Sequence, residues 1–178
     1  AARQGRRIAV GHSPDSDDAF MFFALATGRV KVDGPDPGSY EEVHDDIQSL
    51  NLRARRGELA MSQISAAAYP SVADRYRITS CGSSMGLNYG PVVVAAAAAA
   101  PESLRDARLA VPGEPTTAYL LARLYLPPFQ AVSLPFDTVM DAVRSGDVDA
   151  AVVIHEGQLT FADFGLHKLL DLGQAWHR

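Results

Sequence analysis

The chain is poor in the residues that would announce most common chemistries. It holds a single cysteine, Cys81, in 178 residues. That excludes an internal disulfide and a cysteine-based zinc site, and it gives no sign of an oxidising compartment. A basic excess is also missing: the formal net charge is -5 and the pI about 5.4, whereas a broad nucleic-acid surface needs the opposite balance. No apolar run approaches the ~20 residues that a bilayer-spanning helix requires. The run Ile8 to Val10 is too short for a signal-peptide core, and the denser run Val92 to Ala100 is mostly alanine. The expectation is a cytoplasmic protein with neither a nucleic-acid nor a membrane partner. No G-x-S-x-G elbow, Walker loop or G-x-G-x-x-G fingerprint follows an apolar run, and no two histidines have helical zinc spacing. No metal is expected, because the acidic stretch Asp15 to Asp18 lacks EF-hand spacing and no second acidic cluster complements it.

What remains is an ordinary globular composition, 47% hydrophobic and 21% charged, long enough for one medium domain or two small lobes. Apolar runs that suit strands alternate with helix patterns. Arg7 to Gly11 reads as a buried strand. A helix follows, capped by Ser16 or Asp17, with Phe20, Phe23 and Leu25 at near-helical spacing and Gly28 at its end. Lys31 to Tyr40 is rich in glycine and proline and reads as a loop. Asp45 to Arg56 reads as a helix with Ile47, Leu50 and Leu52 on its apolar side. Leu59 to Ser65 reads as a strand, and Ser65 can cap a helix that Pro70 limits or kinks. Arg77 to Cys81 reads as a further strand, with Cys81 a small buried residue, and Gly82 to Pro91 as a glycine-rich loop. Beyond it, strands are expected at Val92, at Arg108 to Gly113, at Gln130 to Pro135 and at Asp149 to His155. Helices are expected at Thr116 to Leu126 and Phe136 to Ser145. Such alternation favours a parallel or mixed sheet with helices on both faces. The fold class expected is therefore α/β and two-lobed, of the periplasmic-binding-protein-like (type II) kind, with residues 1–91 in the first lobe and 92–178 in the second. Ligands of open α/β sheets bind beyond the carboxyl ends of strands, and a cleft between lobes is a favoured place.

That rule singles out four strand ends. After the first strand, Ser13 and Asp18 can hydrogen-bond hydroxyls of a ligand, although short polar residues there also make turns and caps. Ser65 and the pair Thr116 and Thr117 sit where helices start, where a hydroxyl beside unpaired backbone N–H groups suits a small anion such as a carboxylate. Plain N-capping is the competing explanation for each. His155 directly follows an apolar strand, and an imidazole titrates near neutrality, as a general base or acid should. Its neighbour Glu156 points to the opposite face of a strand and reads as structural. His12 could line the cleft, while His44, His167 and His177 look like surface or terminal residues.

The segments SPDSDDAFMFFALATGRV, ISAAAYPSVADRY, SMGLNYGPVVV, VPGEPTTAYLL and VVIHEGQLTFADFGLHKLLDLGQAW resemble, in order, the 1,4-dihydroxy-6-naphthoate synthases of the futalosine route to menaquinone. The resemblance implies a cofactor-free carbon–carbon lyase acting on cyclic de-hypoxanthinyl futalosine, a carboxylated small molecule. It makes His155 the base, Ser65 and Thr117 (with Thr116 beside it) the carboxylate-binding hydroxyls, and Ser13 and Asp18 substrate contacts. Met85 to Asn88 would pack over the aromatic part. Members of that family run well past Arg178 and return to complete the first lobe, so the resemblance also implies that a C-terminal part is missing here. Two alternatives stay open: the chorismate dehydratase of the same pathway, and a solute-binding protein for a small aromatic carboxylate. A homodimer is left open as well. The run Ala95 to Ala100 departs from the family pattern.

Overall fold

The computed structural model describes residues 7–30 and 39–177. It divides into two compact units, Ala1–Ser84 and Met85–Arg178. Most of the segment read as a loop, residues 31–38, lies outside the described residues, while Ser39 and Tyr40 open a strand.

Unit one runs β1 (Arg7–His12), α1 (Ser16–Ala26), β2 (Ser39–His44), α2 (Ile47–Arg56) and β3 (Met61–Ser62). Its sheet has the order β2-β1-β3, with both pairings parallel. The strand β2 is absent from the sequence reading because SYEEVH is mostly polar and sits at a sheet edge. The helix α2 buries Leu50, Asn51 and Ala54, one stripe at spacings of one, three and four residues. Leu52, expected on that stripe, turns outward. Asp46 caps the helix by accepting the Ser49 N–H at 3.0 Å, and the left-handed Gly57 closes it. The cap position of α1 belongs to Asp15, not to Ser16 or Asp17; Asp17 and Asp18 fall in the first turn, where the helix dipole favours negative charge. Phe20 and Phe23 do not pack inward as their spacing suggests, being 85% and 50% exposed.

Three further expectations fail in unit one. The strand at Leu59 to Ser65 contracts to Met61–Ser62. The helix after Ser65 is only a 3-10 turn, Ala66–Ser71, with Pro70 inside it; proline has no N–H to give to an α-helical ladder. Arg77 to Cys81 forms no strand, Ile78 is exposed, and Cys81 is therefore exposed, not buried.

Unit two follows the sequence pattern closely. It contains β4 (Val92–Ala95), β5 (Arg108–Val111), α3 (Thr117–Tyr125), β6 (Gln130–Ser133), α4 (Val139–Ser145), β7 (Ala150–Val153), α5 (Gly157–Thr160), β8 (His167–Asp171) and α6 (Leu172–Trp176). The sheet order is β6-β5-β7-β4-β8. Pairing is parallel among β5, β6 and β7, and antiparallel where β4 meets β7 and β8. The central strands β4 and β7 are apolar and buried at every position, and β5 is so beyond Arg108, because both faces are covered. Val93, Leu109, Val111, Ala150 and Val152 pack with α3 residues Ala118, Leu121 and Ala122 and with Leu172. Their neighbours in sequence, Val92, Val94, Ala110, Ala151 and Val153, pack on the other face with Val139 and Val143 of α4 and with Leu166. The alanine run ends β4 at Ala95 and continues as an exposed connector.

Arg108 fastens the start of β5 to the start of β7. Its backbone N–H and guanidinium both donate to the Asp149 carboxylate, at 2.7 and 2.9 Å, and the guanidinium also reaches the carbonyls of Asp147 and Gly146. The Arg108 side-chain hydrogen bond, and then its backbone N–H, hold the Asp149 carboxyl below its ordinary range. A depressed carboxylate contributes stability above its unfolded titration range and loses it as pH falls through the folded value. Asp149→Asn should therefore lower Tm at neutral pH slightly, as exposed pairs contribute little. It should also leave a shallower loss on acidification than the parent shows, read from melting curves taken from neutral to acid pH.

Candidate active site

In unit one the first βα corner is a closed polar network. The Ser13 N–H and Oγ–H both point at Asp18 Oδ2, at 3.0 and 2.7 Å. The Ser13 hydroxyl also lies 2.6 Å from Asp15 Oδ2, so its one proton serves two carboxylates. Gln63 Nε2 donates to Asp18 Oδ1 at 2.6 Å, and the Gln63 N–H donates to the Gly11 carbonyl at 2.8 Å. Ser13 and Asp18 are both buried. Their mutual bonds fix the shape of the loop between β1 and α1, and each charge-assisted bond is stronger than a neutral one.

Ser65 is held by a residue that the sequence reading did not single out. Asn51 on α2 is fully buried. Its Nδ2 donates to Ser65 Oγ at 3.0 Å, and its Oδ1 accepts the Ser65 N–H at 2.8 Å. Ser65 does not cap the turn that follows it. Because its oxygen accepts from Asn51, its own O–H is directed elsewhere. The signal in the sequence was present: Asn51 stands on the stripe with Leu50 and Ala54, where an amide must find a partner.

In unit two the turn Gly113 to Thr117 separates the two threonines. Thr116 is buried and caps α3: its hydroxyl donates to the Gly113 carbonyl at 2.6 Å and accepts the Tyr119 N–H at 3.2 Å. Its only hydroxyl proton is committed to that carbonyl, so capping accounts for it. Thr117 is the first helical residue and half-buried.

His155 lies two residues beyond β7 with φ of 53°, a left-handed conformation that is uncommon for a residue with a Cβ. Two contacts flank it. Gly157 packs on Val153 so closely that a Cβ at 157 would overlap the valine side chain. With the oxygen and nitrogen of its amide exchanged, the orientation that satisfies both atoms, Gln158 accepts the His155 N–H at 3.3 Å and donates to the Gly90 carbonyl at 2.7 Å. The Gln158 backbone N–H returns a bond to the His155 carbonyl at 3.1 Å. The ring is half-buried and meets Phe136 edge-on at 5.2 Å between centroids. Backbone strain of this kind collects at functional sites.

The loop holding Met85 and Asn88 is exposed, and Asn88 is also left-handed, with φ of 59°. Its far end is anchored where Gly90 packs on Gly173 and the Leu172 N–H donates to the Pro91 carbonyl at 2.9 Å. The structure thus brings Ser13 and Asp18 together in unit one, places Ser65 on Asn51 in the same unit, and gathers the Gly90 loop end and His155 around Gln158 in unit two.

Residues 8–178 match the family model described as menaquinone biosynthesis. Two curated relatives, from Thermus thermophilus and Streptomyces coelicolor, are 38% and 40% identical over 95% of the chain. Both carry the name 1,4-dihydroxy-6-naphtoate synthase, and the chain spans 60% of the length of each. A crystal structure of an Archaeoglobus fulgidus protein is 47% identical, with a TM-score of 0.87 over 96% of this chain and 62% of that one. The alkanesulfonate-binding protein from Xanthomonas axonopodis is 14% identical, with a TM-score of 0.70 over 96% of this chain and 62% of that one. That likeness shows the fold alone, which is periplasmic-binding-protein-like. Among the described residues no helix is long and apolar enough to cross a membrane.

Separating cap from site gives a direct test. Thr116→Ala should cost about 1 kcal/mol of stability in urea unfolding, because it removes the α3 cap. Thr117→Ala should cost about half of that or less on the same scale.

Proposed function

Since the chain belongs to the menaquinone-biosynthesis family, we propose that it carries the 1,4-dihydroxy-6-naphthoate synthase reaction, the lyase step that releases the naphthoate from cyclic de-hypoxanthinyl futalosine. The observation that carries this reading is His155, an imidazole held in a strained backbone conformation at the end of β7. In this role His155 is the base: it takes the proton whose removal starts ring opening. A positioned base is worth roughly 10²–10⁴-fold in rate.

The substrate's carboxylate needs hydroxyl donors. Ser65 suits that task because its oxygen accepts from Asn51, so its O–H is not used on that amide. In unit two, Thr117 at the start of α3 is a further hydroxyl assigned to substrate binding, while Thr116 holds that start in place. Ser13 and Asp18 contribute through the loop they shape, with one carboxylate already turned to Ser13 and Gln63. Met85 and Asn88 cover the aromatic portion of the substrate. The step assigned needs no cofactor, and the reading places it in the cytoplasm. Both relatives with a stated activity carry the naphthoate synthase name, which supports this reading over chorismate dehydration. The solute-binding likeness concerns the fold only.

The test is incubation with cyclic de-hypoxanthinyl futalosine and mass detection of 1,4-dihydroxy-6-naphthoate. His155→Ala should bind substrate but form product at least about 10²-fold more slowly. A parent-like rate from a folded His155→Ala protein would remove the base from the mechanism.

A further inference from the structure

A second cluster of chemistry-bearing side chains lies in unit one, on the edge pair of strands that the naphthoate chemistry does not use. β1 and β2 run parallel with His12 beside His44 and Val10 beside Glu42. Side chains two apart on a strand share a face, so Glu42 and His44 stand on the face that also carries His12. Glu42 Oε1 lies 3.1 Å from His12 Nε2 and 3.8 Å from His44 Nε2. All three donor atoms lie within 4.8 Å of one another.

The protonation pattern around His12 makes this more than proximity. His12 Nδ1 is 2.8 Å from the Ser13 carbonyl oxygen. A carbonyl only accepts, so Nδ1 must carry the proton, and the neutral ring then presents its Nε2 lone pair to a carboxylate. Two acceptors facing each other need a positive centre between them. A proton on Nε2 would serve His12 and Glu42 only. A metal ion would serve those two and also His44, whose nitrogen is turned to the same carboxylate oxygen. An Nδ1–H to a backbone carbonyl is the usual outer-shell support of a metal-bound histidine. His12 is buried and its ring is stacked on Phe22 at 4.4 Å between centroids, so its nitrogen is fixed in direction. Glu42 and His44 are progressively more exposed, which leaves a way in for an ion.

We propose that His12, Glu42 and His44 form a binding site for a divalent transition ion of the zinc type. Two imidazoles and one carboxylate form a zinc set with an open fourth position for water. Tetrahedral donors about 2.0–2.1 Å from zinc stand about 3.3 Å apart, and the observed 3.1 and 3.8 Å bracket that spacing. The ion would pin the carboxyl ends of β1 and β2 together. Through the His12–Ser13 bond it would also steady the loop that carries Ser13 and Asp18. The site is independent of His155.

The experiment titrates the 178-residue chain with Zn²⁺ by calorimetry and with Co²⁺ by visible absorption, beside Glu42→Gln, His44→Ala and, as control, His167→Ala. His44 is on the surface, so its loss should leave the fold intact even if a His12 variant does not fold. The parent should bind one ion and gain Tm with it. Glu42→Gln and His44→Ala should weaken binding roughly 10–100-fold and lose the cobalt bands, while His167→Ala binds as the parent does. Failure of the parent to bind Zn²⁺, or parent-like binding by both Glu42→Gln and His44→Ala, would overturn the site.

Discussion

The close approach of Gly157 to Val153 is the constraint on which the turn after β7 depends. With no side chain at 157, the backbone after β7 can fold back over the strand's last valine, and His155 stands in the left-handed region within that reversal. Gln158 then braces the reversal on both sides, bonding to the His155 backbone and to Gly90. If His155 is the base proposed above, a backbone already set in place is part of its preorganisation. The strain is borne by a sheet whose strands β4, β5 and β7 are buried on both faces, the part of the molecule best able to bear it.

Unit one solves a similar problem with polar side chains. Its strand ends are held by amides from neighbouring elements: Gln63 on Asp18, and Asn51 on Ser65. The Ser13 hydroxyl is thus directed at carboxylates, and the Ser65 oxygen is held as an acceptor. Thr116 shows the opposite outcome, a hydroxyl at a helix start whose proton is spent on its own turn.

The legibility of the sequence differs between the units for the same physical reason. In unit two the central strands are apolar runs, Thr116 caps α3 and Gly146 closes α4, so β5, α3, β6 and β7 are readable from pattern. In unit one the signals conflict. SYEEVH is an edge strand with a polar composition, and the run around Ile78 looks like a strand but lies exposed. Missing β2 had a chemical cost: His44 reads as an isolated surface residue until parallel register sets it beside His12. Asn51 and Gln158 were visible as letters but not as partners, because their roles depend on Ser65 and on Gly90, which lie far off in the chain. The place of His155 just past β7 was legible because a strand end is a place the sequence itself marks.

The most direct test of the central claim is chemical rescue. Folded His155→Ala protein, given the futalosine-derived substrate, should recover naphthoate formation in proportion to added imidazole, since the missing group is a base and the rest of its surroundings remain. A variant that keeps its fold and binds substrate, yet gains no rate at any imidazole concentration, would contradict a basic role for His155.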